Sequence, residues 1–206
     1  MADILIDNQT APSTPAAGKS VLWVDSTTKK QVQTDDAGVR HGSPISRNAT
    51  TAGQAANFTA DTYVTNSGIL IPSYGLEAGM LFRWWILATK STGSTAAAVY
   101  TFRVGAGQAT SDTSIIALTD AGAQTSAAAT TLIECVLGLR TVSASGVAVA
   151  AVAVGPTASS TFGLGKEGVS STLDLTGRAG QYIGISINAG ASATWTVDHV
   201  HAELTA

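Results

Sequence analysis

The chain has one cysteine in 206 residues. Cys135 therefore has no partner for an intrachain disulfide, and no CxxC pair exists to hold zinc or to run thiol redox chemistry. A lone cysteine in an apolar run reads as a small buried hydrophobe. Charge is also scarce: 12% of residues are Asp, Glu, Lys or Arg, about half the ~25% of an average globular chain. The formal net charge of −3 supplies no basic stripe to neutralise phosphates, so nucleic acid is not an expected partner. Long apolar runs are missing as well. Residues 141–165 carry no charge, yet their apolar part is only "VAVAAVAV", far short of the ~20 residues of a membrane helix. The opening "MADILIDNQ" has neither the basic n-region nor the apolar h-region of a secretion signal, which leads us to expect assembly in a cytoplasm and no membrane span.

What is present points to strands. Apolar residues make up 45% of the chain, and Ser, Thr and Gly supply much of the rest. Roughly 70% of the unfolded surface of a chain this long is buried on folding, enough for one good core without a staple. Ten of the 25 charged residues fall in the first 47 positions, and the composition changes after them. The Gly, Ser, Ala and Thr-rich "HGSPISRNATTAGQAANFTA" reads as a linker or an extended entry strand. The expected organisation is an arm over 1–47 and a body over 48–206.

Within the arm, "KSVLWVDSTTKKQVQTDDAGVRHG" reads as a β-hairpin. Val21 and Trp23 point one way while Leu22 and Val24 point the other, and a two-stranded hairpin is marginal in water. Val21, Leu22, Trp23, Val24, Val32 and Val39 are thus candidate docking or trimer-interface residues.

The body alternates short apolar runs with Gly, Ser, Thr and Asp clusters, the spacing of an antiparallel sandwich or barrel. Expected strands are "TYVT", "GILIP", "MLFRWWILATK", "AAVYTFRVG", "TSIIALT", "ATTLIECVLGLRTV", "GVAVAAVAVG", "STLDL", "QYIGISINA" and "TWTVDHVHAELT". Ile183, Ile185 and Ile187 share one face of theirs. The valines at 147 and 149, then 152 and 154, change phase and suggest a bulge across Ala150 and Ala151. In "MLFRWWILATK" both faces carry apolar groups, which calls for cover from a second sheet, a loop or another subunit.

Motifs for chemistry are weak. "GLGKEG" matches G-x-G-x-x-G at Gly163, Gly165 and Gly168, but no helix-forming segment follows it to meet a pyrophosphate; it reads as a loop between strands, and no cofactor is expected. "DHVH" puts His199, His201 and Glu203 along one side of a strand, with Trp195 and Val197 expected on that same side. Such a pair binds metal only when a third ligand converges, so a structural or subunit-contact role, sensitive to pH, is the better reading. Adjacent Asp198 and His199 are expected on opposite faces, which spoils a catalytic triad. No G-x-S-x-G elbow occurs. Neither catalytic nor metal residues are assigned, and the expected protein is not an enzyme. The four tryptophans Trp23, Trp84, Trp85 and Trp195 read as core or interface anchors rather than as a sugar-stacking set. Trp84 and Trp85, with the two histidines, are the body's candidate interface residues.

Beyond these patterns, "PSTPAAGKSVLWVDSTTKKQVQTDDAGV" resembles a segment near the N-termini of tailed-bacteriophage virion proteins, where it precedes a fibre, spike or decoration domain. "ADTYVTNSGILIP", "GLEAGMLFRWWILATKSTGSTAA", "FRVGAGQATSD" and "IGISINAGASATWTVDHVHAEL" resemble a β-sandwich module of phage structural proteins. The resemblance implies an all-β chain with a jelly-roll-like sandwich, homotrimeric assembly and attachment to the particle surface through the N-terminal part. The expected function is a head decoration or head-fibre protein whose partners are its own copies and another virion protein, such as the major capsid protein or a tail component. The alternative is a short tail fibre that recognises host surface glycans, and a weaker third is a polysaccharide hydrolase.

Overall fold

The computed structural model describes residues 8–9, 16–17, 19, 21–25, 31–34, 40–41, 46–50, 53–56, 58–91, 96–121, 124, 126–155, 166–170, 173–190 and 195–205. Every element among them is a β-strand.

In the arm, β1 (Asn8–Gln9), β2 (Val21–Asp25), β3 (Gln31–Thr34) and β4 (Arg40–His41) form one sheet in that order. The expected hairpin is its centre, with Trp23 opposite Val32 and Val21 opposite Thr34. It is not a lone pair of strands. Asn8–Gln9 adds in parallel to β2 and Arg40–His41 adds antiparallel to β3, so each flanking strand covers an edge of N–H and C=O groups that a bare hairpin leaves open. Among the described strands, these four hydrogen-bond only to one another.

The body contains β5 (Ser46–Thr50), β6 (Gln54–Ala56), β7 (Thr62–Tyr63), β8 (Ile69–Leu70), β9 (Leu81–Lys90), β10 (Val99–Gly105), β11 (Thr113–Thr119), β12 (Ala129–Thr141), β13 (Val147–Val154), β14 (Lys166–Val169), β15 (Tyr182–Asn188) and β16 (Trp195–Thr205). A seven-stranded sheet runs β14-β13-β12-β9-β16-β5, with β6 also paired to β16. A five-stranded sheet runs β11-β10-β15-β7, with β8 also paired to β15. Both are antiparallel, and they pack face to face as a β-sandwich. β5 pairs with β16 from Ser46 onward, so the body's first strand straddles the boundary expected between 47 and 48.

The core follows from period-2 alternation. Phe82, Trp84, Ile86 and Ala88 of β9 are fully buried, as are Tyr100 and Phe102 of β10 and Ile183, Ile185 and Ile187 of β15. Trp84 meets Phe102 edge to face, ring centroids 5.6 Å apart, and stacks beside Phe82 at 6.2 Å. Burying each such side chain contributes about 1.5–3 kcal/mol. At one end of the sandwich Gln124 Nε2 donates to the carbonyls of Ala96 and Ala189 at 2.9 and 2.7 Å, and Trp195 Nε1 donates to Gln124 Oε1 at 3.3 Å. These bonds satisfy polar groups that would otherwise be buried without partners.

Three expectations change here. The register of β12 with β13 is unbroken across Ala150 and Ala151; the irregularity lies between Leu139 and Thr141. Ala148, Ala150 and Val152 are the inward residues, so small alanines fill the inner face while Val147 and Val149 point out, and the backbone phase never changes. "GLGKEG" is not wholly a loop, because Lys166–Val169 pairs with β13. A Cβ on Gly168 would lie 2.7 Å from Leu118 Cδ2, so glycine lets β14 close onto β11; Gly163 and Gly165 lie outside the described residues. "STLDL" contributes a single bridge, Leu173 to Gly146, in place of a strand.

Candidate functional site

The sandwich has two outward faces, and they are built differently. On the five-stranded sheet, Arg103 of β10 is held from several sides. Its Nε donates to Ser186 Oγ at 2.7 Å, Nη1 donates to the Asp112 carbonyl at 2.9 Å, and Nη2 pairs with Asp61 Oδ2. The Asp112 carboxylate accepts the N–H groups of Gly107 and Ala109, each at 3.1 Å. The segment carrying Asp61, Tyr63 and Ser67 lines the β15 edge of this sheet, with Thr62–Tyr63 as β7. Val64 N–H donates to the Ile185 carbonyl at 2.9 Å, and Ile185 N–H donates to Ser67 Oγ at 3.0 Å. The fit is close: a Cβ on Gly184 would stand 1.8 Å from the Tyr63 hydroxyl. Burial pushes the Tyr63 phenol up to about 12; the Asp112 charge adds to this, and a hydrogen bond with Ser67 partly opposes it. An ionised phenolate in that place would lose its water.

On the seven-stranded sheet the outward face is open. Leu87, Leu132 and Val169 are the three exposed large hydrophobics among the described residues, at 39%, 43% and 59%. All three lie on this face. Leu87 stands opposite Leu132, and Val169 stands opposite Val149. Along the same rows Trp85 is flanked by Glu134 and His201, and Arg83 by Val136 and Glu203. The Trp85 and His201 rings are 5.4 Å apart, and His201 Nε2 is 3.7 Å from Glu203 Oε2. Toward β14 the side chains become small: Val149 is half-buried, and Ala151 and Ala153 are exposed.

The residues singled out from the sequence divide accordingly. Trp85, His199 and His201 are half-buried on the open face. Trp84 is not an interface residue. It is 0% exposed, and its Nε1 donates to the Ser67 carbonyl at 2.7 Å, because the even positions of β9 face inward. The side shared by the histidines also differs from expectation. Val197 pairs with Ala88 and His199 with Leu87, leaving Asp198 as an extra residue in a β-bulge. Trp195 and Val197 therefore enter the core, while Asp198, His199 and His201 lie outward together. The Asp198 carboxylate accepts the Thr89 hydroxyl at 2.6 Å.

In the arm, Trp23 is 1% exposed within the single chain and so presents no surface for docking, whereas Val21 and Val24 are half-buried. Leu22 and Val32 stand in β2 and β3, their side chains outside what is described; Val39 lies outside the described residues. Cys135 is a buried free thiol whose pKa burial raises.

Sequence reasoning missed the Arg103 cluster. Its members Asp61, Arg103, Asp112 and Ser186 come from separate segments, and no spacing rule joins them. Among the described residues no three His, Cys, Asp or Glu side chains gather to hold a metal ion. No protein-family model matches the chain, and no curated protein matches it.

Proposed function

We propose that this chain is a non-enzymatic structural protein of a tailed-bacteriophage virion, a homotrimeric decoration or head-fibre protein anchored by its arm, with the sandwich projecting outward. The observation that carries this reading is the division of the chain. Among the described strands, the arm's four pair only with one another, ahead of a sandwich that has its own core. A separate N-terminal sheet is the form expected of an attachment element, and Val21 and Val24 of that sheet remain only half covered. The resemblance of the arm segment to virion proteins supports the same reading.

The test is particle attachment by the purified full chain, beside a chain lacking residues 1–45, which keeps β5. Attachment of the full chain in hundreds of copies, lost on truncation, is the expected result. Attachment by the truncated chain overturns the role of the arm. A copy number near a small multiple of three, together with binding to a glycan array, moves the reading to a tail fibre. Release of sugar fragments from surface polysaccharide overturns the non-enzymatic reading.

A further inference from the structure

We propose that the outward face of the seven-stranded sheet is buried against the same face of a second copy of this chain, with Arg83 of one copy meeting Glu134 of the other. A face that meets the same face of another copy makes a two-fold contact, so this inference goes beyond the three-fold assembly proposed above and adds a pairing between copies to it.

Four observations carry it. First, the three large exposed hydrophobics among the described residues share this one face: Leu87 and Leu132 stand side by side, and Val169 stands further along in the row of Val149 and Gly138. Second, Arg83 Nε is buried and has no hydrogen-bond partner among the described residues. Glu134, one row away on the neighbouring strand, likewise makes no hydrogen bond or ion pair among them. A half-buried cation and a half-buried anion, both unpaired and adjacent on one face, complement the same face of another copy: each supplies what the other lacks. Third, the face is the right size. Five inter-strand spacings of about 4.8 Å by about nine residues of roughly 3.3 Å give on the order of 700 Å², close to the ~800 Å² that each partner buries in a standard interface. Fourth, its two halves differ in relief. Trp85, Leu87 and His201 project from β9 and β16, whereas Ala151, Ala153 and Val149 leave β13 low, so the raised half of one copy fits the flat half of the next.

The experiment is sedimentation of the purified full chain over a range of concentrations, with four variants. Ala151→Arg places a long charge at an exposed, outward position between Val136 and Glu167, where it obstructs the contact. The others are Arg83→Glu, Glu134→Arg and the double reversal. The expected result is an oligomer in the parent chain, its loss in Ala151→Arg, weaker association in each single reversal, and recovery in the double reversal. Circular dichroism of Ala151→Arg confirms that it folds as the parent does. A parent chain that stays monomeric at every concentration overturns the proposal, as does an oligomer indifferent to Ala151→Arg. A double reversal that fails to recover association overturns the Arg83–Glu134 pairing. Particle attachment is scored separately: an oligomer that obeys these substitutions but binds no particle overturns the virion reading alone, and attachment by an oligomer indifferent to them overturns this inference alone.

Discussion

Arg103 and Arg83 occupy matching places, each pointing outward from an internal strand of its sheet, and their surroundings are opposite. Around Arg103, a serine hydroxyl, a backbone carbonyl and a carboxylate take up the guanidinium. Around Arg83, the described residues offer its buried Nε nothing. On the five-stranded face the Asp61 and Tyr63 side chains reach in from the β15 edge, over Arg103 and Gly184. Among the described residues the seven-stranded face has no such cover and keeps Leu87 and Leu132 in water. Each face keeps one buried polar atom without a hydrogen-bond partner, Asp61 Oδ1 on one and Arg83 Nε on the other. What separates them is that the three exposed large hydrophobics among the described residues all stand on the seven-stranded face.

The largest effect tests the layer the two faces enclose. Trp84→Ala removes a 0% exposed indole and its bond to Ser67, and urea unfolding should show a loss of about 3–5 kcal/mol. A small loss would mean that inner and outer residues of β9 do not differ as described. Next comes the matched pair of arginines. Arg103→Met should destabilise by about 1–3 kcal/mol, the range for stranding a hydrogen-bonded charge partner at a half-exposed site. Arg83→Met should stay within about 0.5 kcal/mol of the parent when measured at dilution. Equal losses would break the comparison.

A pair of glycines sharpens it further. In Gly184→Ala the new methyl collides with the Tyr63 hydroxyl, and overpacking of this kind costs about 1–3 kcal/mol. In Gly138→Ala the nearest atom is Leu81 Cδ1 at 3.6 Å, an ordinary contact, and alanine also narrows the unfolded ensemble. Thermal melts should show a lowered midpoint for the first and an unchanged or raised one for the second. The smallest effect is in pH. The Tyr63 phenol titrates near 10 when unfolded and at about 12 when folded. Its contribution is therefore fully present below pH 10 and is lost as pH rises from 10 toward 12. Tyr63→Phe should flatten part of that stretch of the stability curve, and ultraviolet titration of the folded protein should show both Tyr63 and the buried Tyr100 ionising late, with one fewer in the variant.

Much of the fold was legible in the sequence. The run "QYIGISI" announced a strand with three isoleucines inward, and "MLFRWWILATK" announced alternating sides, because side chains on a strand must alternate. Reading a change of phase from the valines failed: in "VAVAAVAV" the core takes the alanines at 148 and 150 with Val152, and the alternation of sides runs through unbroken. "GLGKEG" looked like a loop because glycine disfavours strands, yet Gly168 is where two strands approach too closely for a side chain.

By itself, the sequence determined that this protein is built of strands, where nearly all the long ones lie, which residues of β9 share a side and that the isoleucines of β15 share one, because those outcomes depend on local alternation and turn chemistry; which side of β9 faces inward it left open. Only the tertiary structure decided which face the histidines share, since the bulge at Asp198 arises from pairing β16 with β9 and not from any property of "TVDHVH". It also decided that Arg103 is clamped and Arg83 is left open. That difference depends on which distant side chains reach each arginine, and such contacts between residues far apart in the chain leave no periodicity to read.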